Sequence, residues 1–235
     1  VSDQMLISRF YPELLEGFPQ PADGVVQLHA ELLHRICLAD GLLEVLDWSQ
    51  QGVGTDPLAC MWLAGLRWHR LVTGHVPDEA PEPPPRDTDA ALSRLLASGA
   101  LRITEHTGET SLSSLSAGQL HYPAAPAQPD TGDTDVLLRL APLGLVPYIE
   151  EQMRMEWVEQ NVSMTHGGAH LLQRSRALVA DVHQRASSPQ QHPPHQPGPQ
   201  PRSQADAPTA QPGSHPLFGV VGELAQRWEA VTAPQ

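Results

Sequence analysis

Two groups of residues in the second half of the chain could do chemistry. Arg139 stands alone in an apolar run, with Leu137, Leu138, Leu140 and Leu143 around it. A guanidinium in such surroundings is costly to bury unless it is paired or reaches a polar pocket. About one helix later comes Ser163-Met164-Thr165-His166-Gly167-Gly168. Arg139 and His166 have two readings. As functional residues they contact a ligand. As structural residues, Arg139 pairs with a helix-terminal carbonyl or a carboxylate such as Glu150, and His166 packs near it at a helix start. Asp130, Asp133 and Asp135 lie close together upstream. They lack the ligand-loop pattern of a calcium site, and a solvated acidic loop is expected there.

The elements that must position these groups are helical. In 30–51, Leu32, Leu33, Ile36, Ala39, Leu43 and Leu46 recur at three and four, with Arg35, Asp40, Glu44 and Asp47 mostly off that stripe. Asp56 caps a helix over 56–73 with Pro57 in its first turn, and Gly74 closes it. A short helix over 88–98 is capped by Asp87 or Thr88 and stopped by Gly99. Pro147 suits the first turn of a helix over 147–161. A helix over 168–186 sets Leu171, Leu172, Leu178, Val179 and Val182 on one side. No convincing alternating strand competes, so the expected fold is all-α, a compact helix bundle. Residues 1–29 are poorly periodic, and Pro12, Pro19 and Pro21 prevent a long helix there.

The expected organisation is a helical domain over 1–186, a linker over 187–216 and an amphipathic helix within 217–235. The linker is rich in Pro, Gln, Ser and His and nearly lacks large apolar residues. Such a composition cannot offset chain entropy and predicts disorder. His192, His195 and His215 are read as solvated parts of it rather than metal ligands. Beyond it, Leu217, Val220, Val221, Leu224 and Trp228 share a face. This helix docks back on the domain or, alternatively, binds a partner.

Asp and Glu number 27 against 14 Lys and Arg, a formal charge of -13. Such a surface repels phosphate backbones and argues against nucleic acid as partner. No apolar run is long enough to span a bilayer. Cys37 and Cys60 fall in helical patterns and read as small hydrophobes. The cytoplasm is the expected location.

Leu138-Arg139-Leu140-Ala141-Pro142-Leu143-Gly144-Leu145 followed by Thr165-His166-Gly167 resembles the ADP-ribosylglycohydrolase family. Its members carry a segment like Met-Arg-x-Ala-Pro-(Leu/Ile/Phe)-Gly-Leu and then Thr-His-Gly. Arg9-Phe10-Tyr11-Pro12-Glu13 resembles the family's loop after its first helix, and that opening helix is then expected upstream of Val1. Gly108-Glu109-Thr110-Ser111-Leu112 resembles its Gly-Asn-x-Ser-Leu turn. The resemblance implies an orthogonal helix bundle that binds ADP-ribose beside two Mg²⁺ ions. It implies Ser111, Arg139, Thr165 and His166 as substrate contacts, with ADP-ribose or an ADP-ribosylated protein as partner.

The family's metal carboxylates do not carry over. Its Thr-Asp-Asp-Thr cluster falls on His29-Ala30-Glu31-Leu32, where only Glu31 offers a charged oxygen. Its second cluster should follow residue 186, where the Pro/Gln tail stands. The family's Gly-(Ser/Cys)-Gly loop falls on Asp133-Thr134-Asp135, whose carboxylates would repel a diphosphate. The expectation is therefore an ADP-ribosylglycohydrolase-like pseudoenzyme with no catalytic residues, no metal ligands and no cofactor. The alternative is an acidic helical protein-interaction module, with the tail or last helix as a binding element.

Overall fold

The computed structural model describes residues 9–187 and 215–233. Among these, the helices are α1 (Phe10–Leu15), α2 (Ala30–Gln50), α3 (Pro57–Thr73), α4 (Asp87–Ser98), α5 (Glu109–Leu115), α6 (Ala141–Leu145), α7 (Glu151–Ser163), α8 (Ala169–Ser187) and α9 (Pro216–Thr232). A 3₁₀ turn spans Asp135–Arg139. The fold is all-α and helix-rich, with one small addition. Strand β1 (Val26–Leu28) pairs in parallel with β2 (Leu101–Ile103), Val26 opposite Leu101. Three-residue strands are too short to show alternation in a sequence.

Helix α2 is the hub. Helices α3, α6 and α9 and the 3₁₀ turn all pack on it. Every residue from Ala30 to Leu43 is buried. This corrects the expectation that Arg35 and Asp40 lie off the buried stripe. The Arg35 Nε donates to the Leu138 carbonyl at 2.6 Å and Nη1 to the Glu16 carbonyl at 2.5 Å. Asp40 accepts from Arg67 Nη1 at 2.9 Å, Arg86 Nε at 3.0 Å, Thr88 Oγ1 at 2.9 Å and Arg227 Nη1 at 3.2 Å. A helix enclosed on all sides carries its charges inward, which is tolerable only when they are paired. Gly41 lets α3 approach closely, since a Cβ there would lie 3.0 Å from both Ala64 Cβ and the Cys60 carbonyl.

Several boundaries differ from expectation. Phe10–Leu15 is a short helix where a loop was expected; Pro12 is tolerated in its first turn. Helix α4 starts at Asp87, with Arg86 at the cap position and no side-chain cap bond. Thr88, an expected cap, instead donates to Asp40. Pro147 opens no helix: α7 begins at Glu151, and it is Pro142 that sits in a first turn, that of α6. The residue before a proline avoids helical backbone, and Val146 is extended at φ -65 and ψ 117. The carbonyls of Val146 and Ile149 left free by that break accept from Arg154 Nη2 at 3.1 and 3.4 Å.

Helix α9 docks against α1, α2 and α4. Trp228 is fully buried, packs on Phe10 with ring centroids 5.6 Å apart, and donates from Nε1 to the Ala39 carbonyl at 3.0 Å. His215 is not a solvated linker residue but the buried cap of α9. Its Nδ1 accepts from the Leu217 amide at 3.2 Å, and Nε2 faces the Ala100 carbonyl at 3.1 Å. His192, His195 and the rest of 188–214 lie outside the described residues. Cys37 and Cys60 are free, the first buried and the second half-buried. Among the described residues, no helix is long and apolar enough to cross a membrane.

Candidate functional site

Arg139 ends the 3₁₀ turn and points into the centre of the fold, with no exposed surface. Its Nε donates to Asn161 Oδ1 at 2.9 Å. Nη1 donates to Glu31 Oε2 at 3.2 Å and Ser111 Oγ at 3.0 Å. Nη2 donates to the Asn161 carbonyl at 2.9 Å and Thr165 Oγ1 at 2.8 Å. A guanidinium has five N–H donors, and each is matched here by an acceptor of the same chain. Asn161 lies in the last turn of α7, Ser111 in α5 and Glu31 in α2, so Arg139 ties three helices together. The helix-terminal carbonyl of the structural reading is thus that of Asn161. The carboxylate is Glu31, while Glu150 stands exposed at the cap of α7.

Thr165 passes the network on. Its Oγ1 lies 2.8 Å from His166 Nδ1. If the hydroxyl donates there, Nε2 carries the imidazole proton and faces Asp133 Oδ2 at 3.4 Å. That approach is within ion-pair distance but not aligned as a hydrogen bond, so the buried Nε2 has no hydrogen-bond partner. His166 lies in the loop between α7 and α8 and does not start a helix. The acidic loop is partly engaged: Asp133 faces His166, and Asp135 Oδ2 lies 3.2 Å from His29 Nε2. The structure therefore brings Ser111, Arg139, Thr165 and His166 into one contact set, all of them fully buried. Sequence reading missed Glu31, His34 and Asn161 as the partners of Arg139.

The electrostatics favour a sealed ion pair. Burial by itself would raise the Glu31 carboxyl, but the Arg139 charge, His34 and Ser111 outweigh it and hold the group well below the usual carboxylate range. Oε2 carries the contacts, and Oε1 is buried without a hydrogen-bond partner. His34 stacks on Trp68 at 4.5 Å, nearly parallel, with its Nδ1 3.4 Å from Glu31 Oε2. Burial and then the Arg139 charge lower its pKa to about 4. Among the described residues, no group of three or more His, Cys, Asp or Glu is gathered so as to hold a metal ion. A groove of about 460 Å³ opens elsewhere, lined by Val45, Leu46, Tyr148, Met153 and Trp157 among others, and none of the four sequence-derived contacts lines it.

The chain matches no protein-family model, no curated protein and no solved structure.

The chemistry of the cluster rests on its own geometry. A guanidinium whose donors are all engaged has none left for a diphosphate, and a carboxylate paired to it is a poor metal ligand. What the arrangement does is join α2, α5, α7 and the 3₁₀ turn.

The depressed histidines give a pH dependence. Burial also lowers His69 and His166. A group lowered in the folded state stabilises fully above its ordinary pKa, and that contribution is lost as pH falls through the folded value. For His34 the window runs from 6.5 down to about 4. The melting temperature is expected to fall across that window before most carboxylates protonate. His34→Gln should flatten the upper part of the profile, measured by thermal melts at pH steps between these limits.

Proposed function

We propose that this chain is a helical protein-interaction module without hydrolase activity, acidic on its surface. The observation that supports it best is the engagement of Arg139. A ligand contact must keep a donor for its ligand, and each donor of this guanidinium is satisfied within the chain. Glu31, at the position the family resemblance gives to a metal carboxylate, is the partner of that cation. The formal charge of -13 points the same way, toward a basic or neutral partner rather than a nucleotide. A cytoplasmic location belongs to this proposal and accords with two free cysteines.

A second reading has one observation in its favour. Ser111, Arg139, Thr165 and His166 are spread over more than fifty positions yet meet in one cluster. That convergence supports descent from an ADP-ribosylglycohydrolase-like protein, with the former ligand contacts turned to structural use. Family chemistry would draw on two Mg²⁺ ions to position ADP-ribose and activate water, and Glu31 alone does not supply their ligands.

Titration of the full chain with ADP-ribose in millimolar magnesium is expected to give no heat of binding. ADP-ribosylated arginine and serine peptides should stay intact. Saturable ADP-ribose binding, or turnover that vanishes with chelator and with Glu31→Ala, would overturn the proposal in favour of a divergent enzyme.

A further inference from the structure

An apolar opening lies between the C-terminal half of α2, the segment 146–149, the start of α7 and the end of α9. It encloses about 460 Å³, and Val45, Leu46, Val53, Tyr148, Met153 and Trp157 supply its apolar surface. Among the described residues, three of the five exposed large hydrophobics gather there: Tyr148 is 81% exposed, Val53 49% and Met153 45%. A fourth, Trp48, sits one helical turn from Val45 on α2. Apolar side chains exposed together mark an interaction surface, whereas scattered ones need no explanation.

Tyr148 adds an independent sign. Its φ is 62, left-handed backbone that a bulky aromatic residue rarely adopts. Its Oη donates to the Thr232 carbonyl at 3.1 Å, which fixes the ring at the groove's edge with most of its face in water. Strained backbone persists only where surrounding structure over-determines it, and it gathers at sites of function.

The rim specifies the partner's charge. Asp56 stands between the lining residues Thr55 and Pro57, and Glu150 and Glu151 stand between Ile149 and Met153, and all three are exposed. Among the described residues no arginine lines the groove, and the chain has no lysine. Arg154 donates from Nη2 to the Val146 carbonyl, and Arg9 reaches Thr232 and Glu229. An acidic rim disfavours nucleotides and anionic lipid surfaces. The lining comes from α2, α3, α7, α9 and the loops 53–55 and 146–149, and β1 and β2 contribute nothing to it, so an added strand has no edge to pair with. An apolar floor between acidic flanks fits the helix-in-groove mode of recognition.

We propose that this groove binds an amphipathic helix of a partner protein, with bulky apolar anchors on one face and arginine or lysine on its flanks. This rests on the interaction-module reading and names its surface. The probe is a fluorescent Leu/Lys amphipathic helical peptide of about five turns, titrated into the full chain by anisotropy. Two controls accompany it: a scrambled peptide of the same composition, and one with Glu in place of Lys. Saturable binding of the amphipathic basic peptide alone is expected, weakened at least tenfold by Met153→Arg and by Val53→Arg. Both positions are exposed enough to accept the change, and unchanged melting curves would verify that. Equal binding of the scrambled peptide, no binding at high micromolar concentration, or indifference to both variants overturns the proposal. So does self-association in sedimentation that Met153→Arg abolishes, since the occupant is then a second copy. These outcomes leave the absence of hydrolase activity standing, whereas ADP-ribose binding removes the reading on which the proposal rests.

Discussion

Replacing Arg139 with methionine is expected to destabilise the fold by about 3–5 kcal/mol, the cost of leaving one member of a buried ion pair alone. Glu31 has no exposed surface, and its low pKa depends on that cation. Once the cation is gone, burial raises the carboxyl instead. The sign of the pH dependence then reverses. In the native chain the lowered Glu31 stabilises above its ordinary value of 4.5 and the contribution is lost on acidification. In the variant a raised Glu31 destabilises progressively as pH climbs from its ordinary value of 4.5 to its raised folded pKa. The stability gap between the two proteins should therefore widen from about pH 4.5 upward. Adding Glu31→Met should recover the ion-pair share of the loss, because an apolar pair can replace a buried ionic one at little cost. Ser111, Thr165 and Asn161 would stay unsatisfied, so recovery stops short of the native value. Denaturant melts across pH measure all of this. A loss under about 1 kcal/mol with no widening gap would mean that the cluster is not sealed as described.

The second large effect is at the far end of the chain. Trp228→Ala is expected to cost about 3–5 kcal/mol, the range for emptying a buried Trp site. The indole packs on Phe10 and its Nε1 satisfies the Ala39 carbonyl, so the substitution opens a cavity and orphans a buried acceptor. Set against a whole-domain stability of roughly 5–15 kcal/mol, that leaves little margin. The loss should be global rather than confined to α9, because α9 covers α2 and the Asp40 cluster. Hydrogen exchange distinguishes the cases. Faster exchange throughout α2 and α3 is expected; faster exchange in α9 alone would show that the helix is a detachable appendage.

The helices were legible because apolar spacing is a local signal. Residues 30–50, 57–73, 87–98 and 169–187 announce themselves by three-and-four repeats and by the caps at Asp56, Gly74 and Gly99. What spacing cannot convey is which charges go inside. Arg35 and Asp40 look like solvent-facing breaks in a stripe, yet their acceptors and donors come from segments up to 187 positions away. Arg139 was conspicuous as one cation among leucines. Its partner was not, because Glu31 lies 108 positions upstream while Glu150 lies near in sequence. His215 was misjudged for a different reason: it shares the composition of the preceding tail, and only the position of Leu217 two residues on hints at a cap. Pro142 and Pro147 were equivalent by rule, and the left-handed Tyr148 between Pro147 and α7 had no signature at all.

The clasp between α1 and α9 bears on how the protein is made. Phe10 meets Trp228, Arg9 meets Glu229, and Tyr148 reaches Thr232, so part of the cover of α2 comes from a helix synthesised long after it. At about 5–20 residues per second, the apolar face of α2 waits on the order of 10–30 s for α9 to follow it off the ribosome. During that interval the nascent chain presents the Ala39 carbonyl and the apolar surface around it to solvent or to a chaperone. Premature termination before Trp228 would leave that surface bare, making the truncated product a natural substrate for quality-control proteolysis.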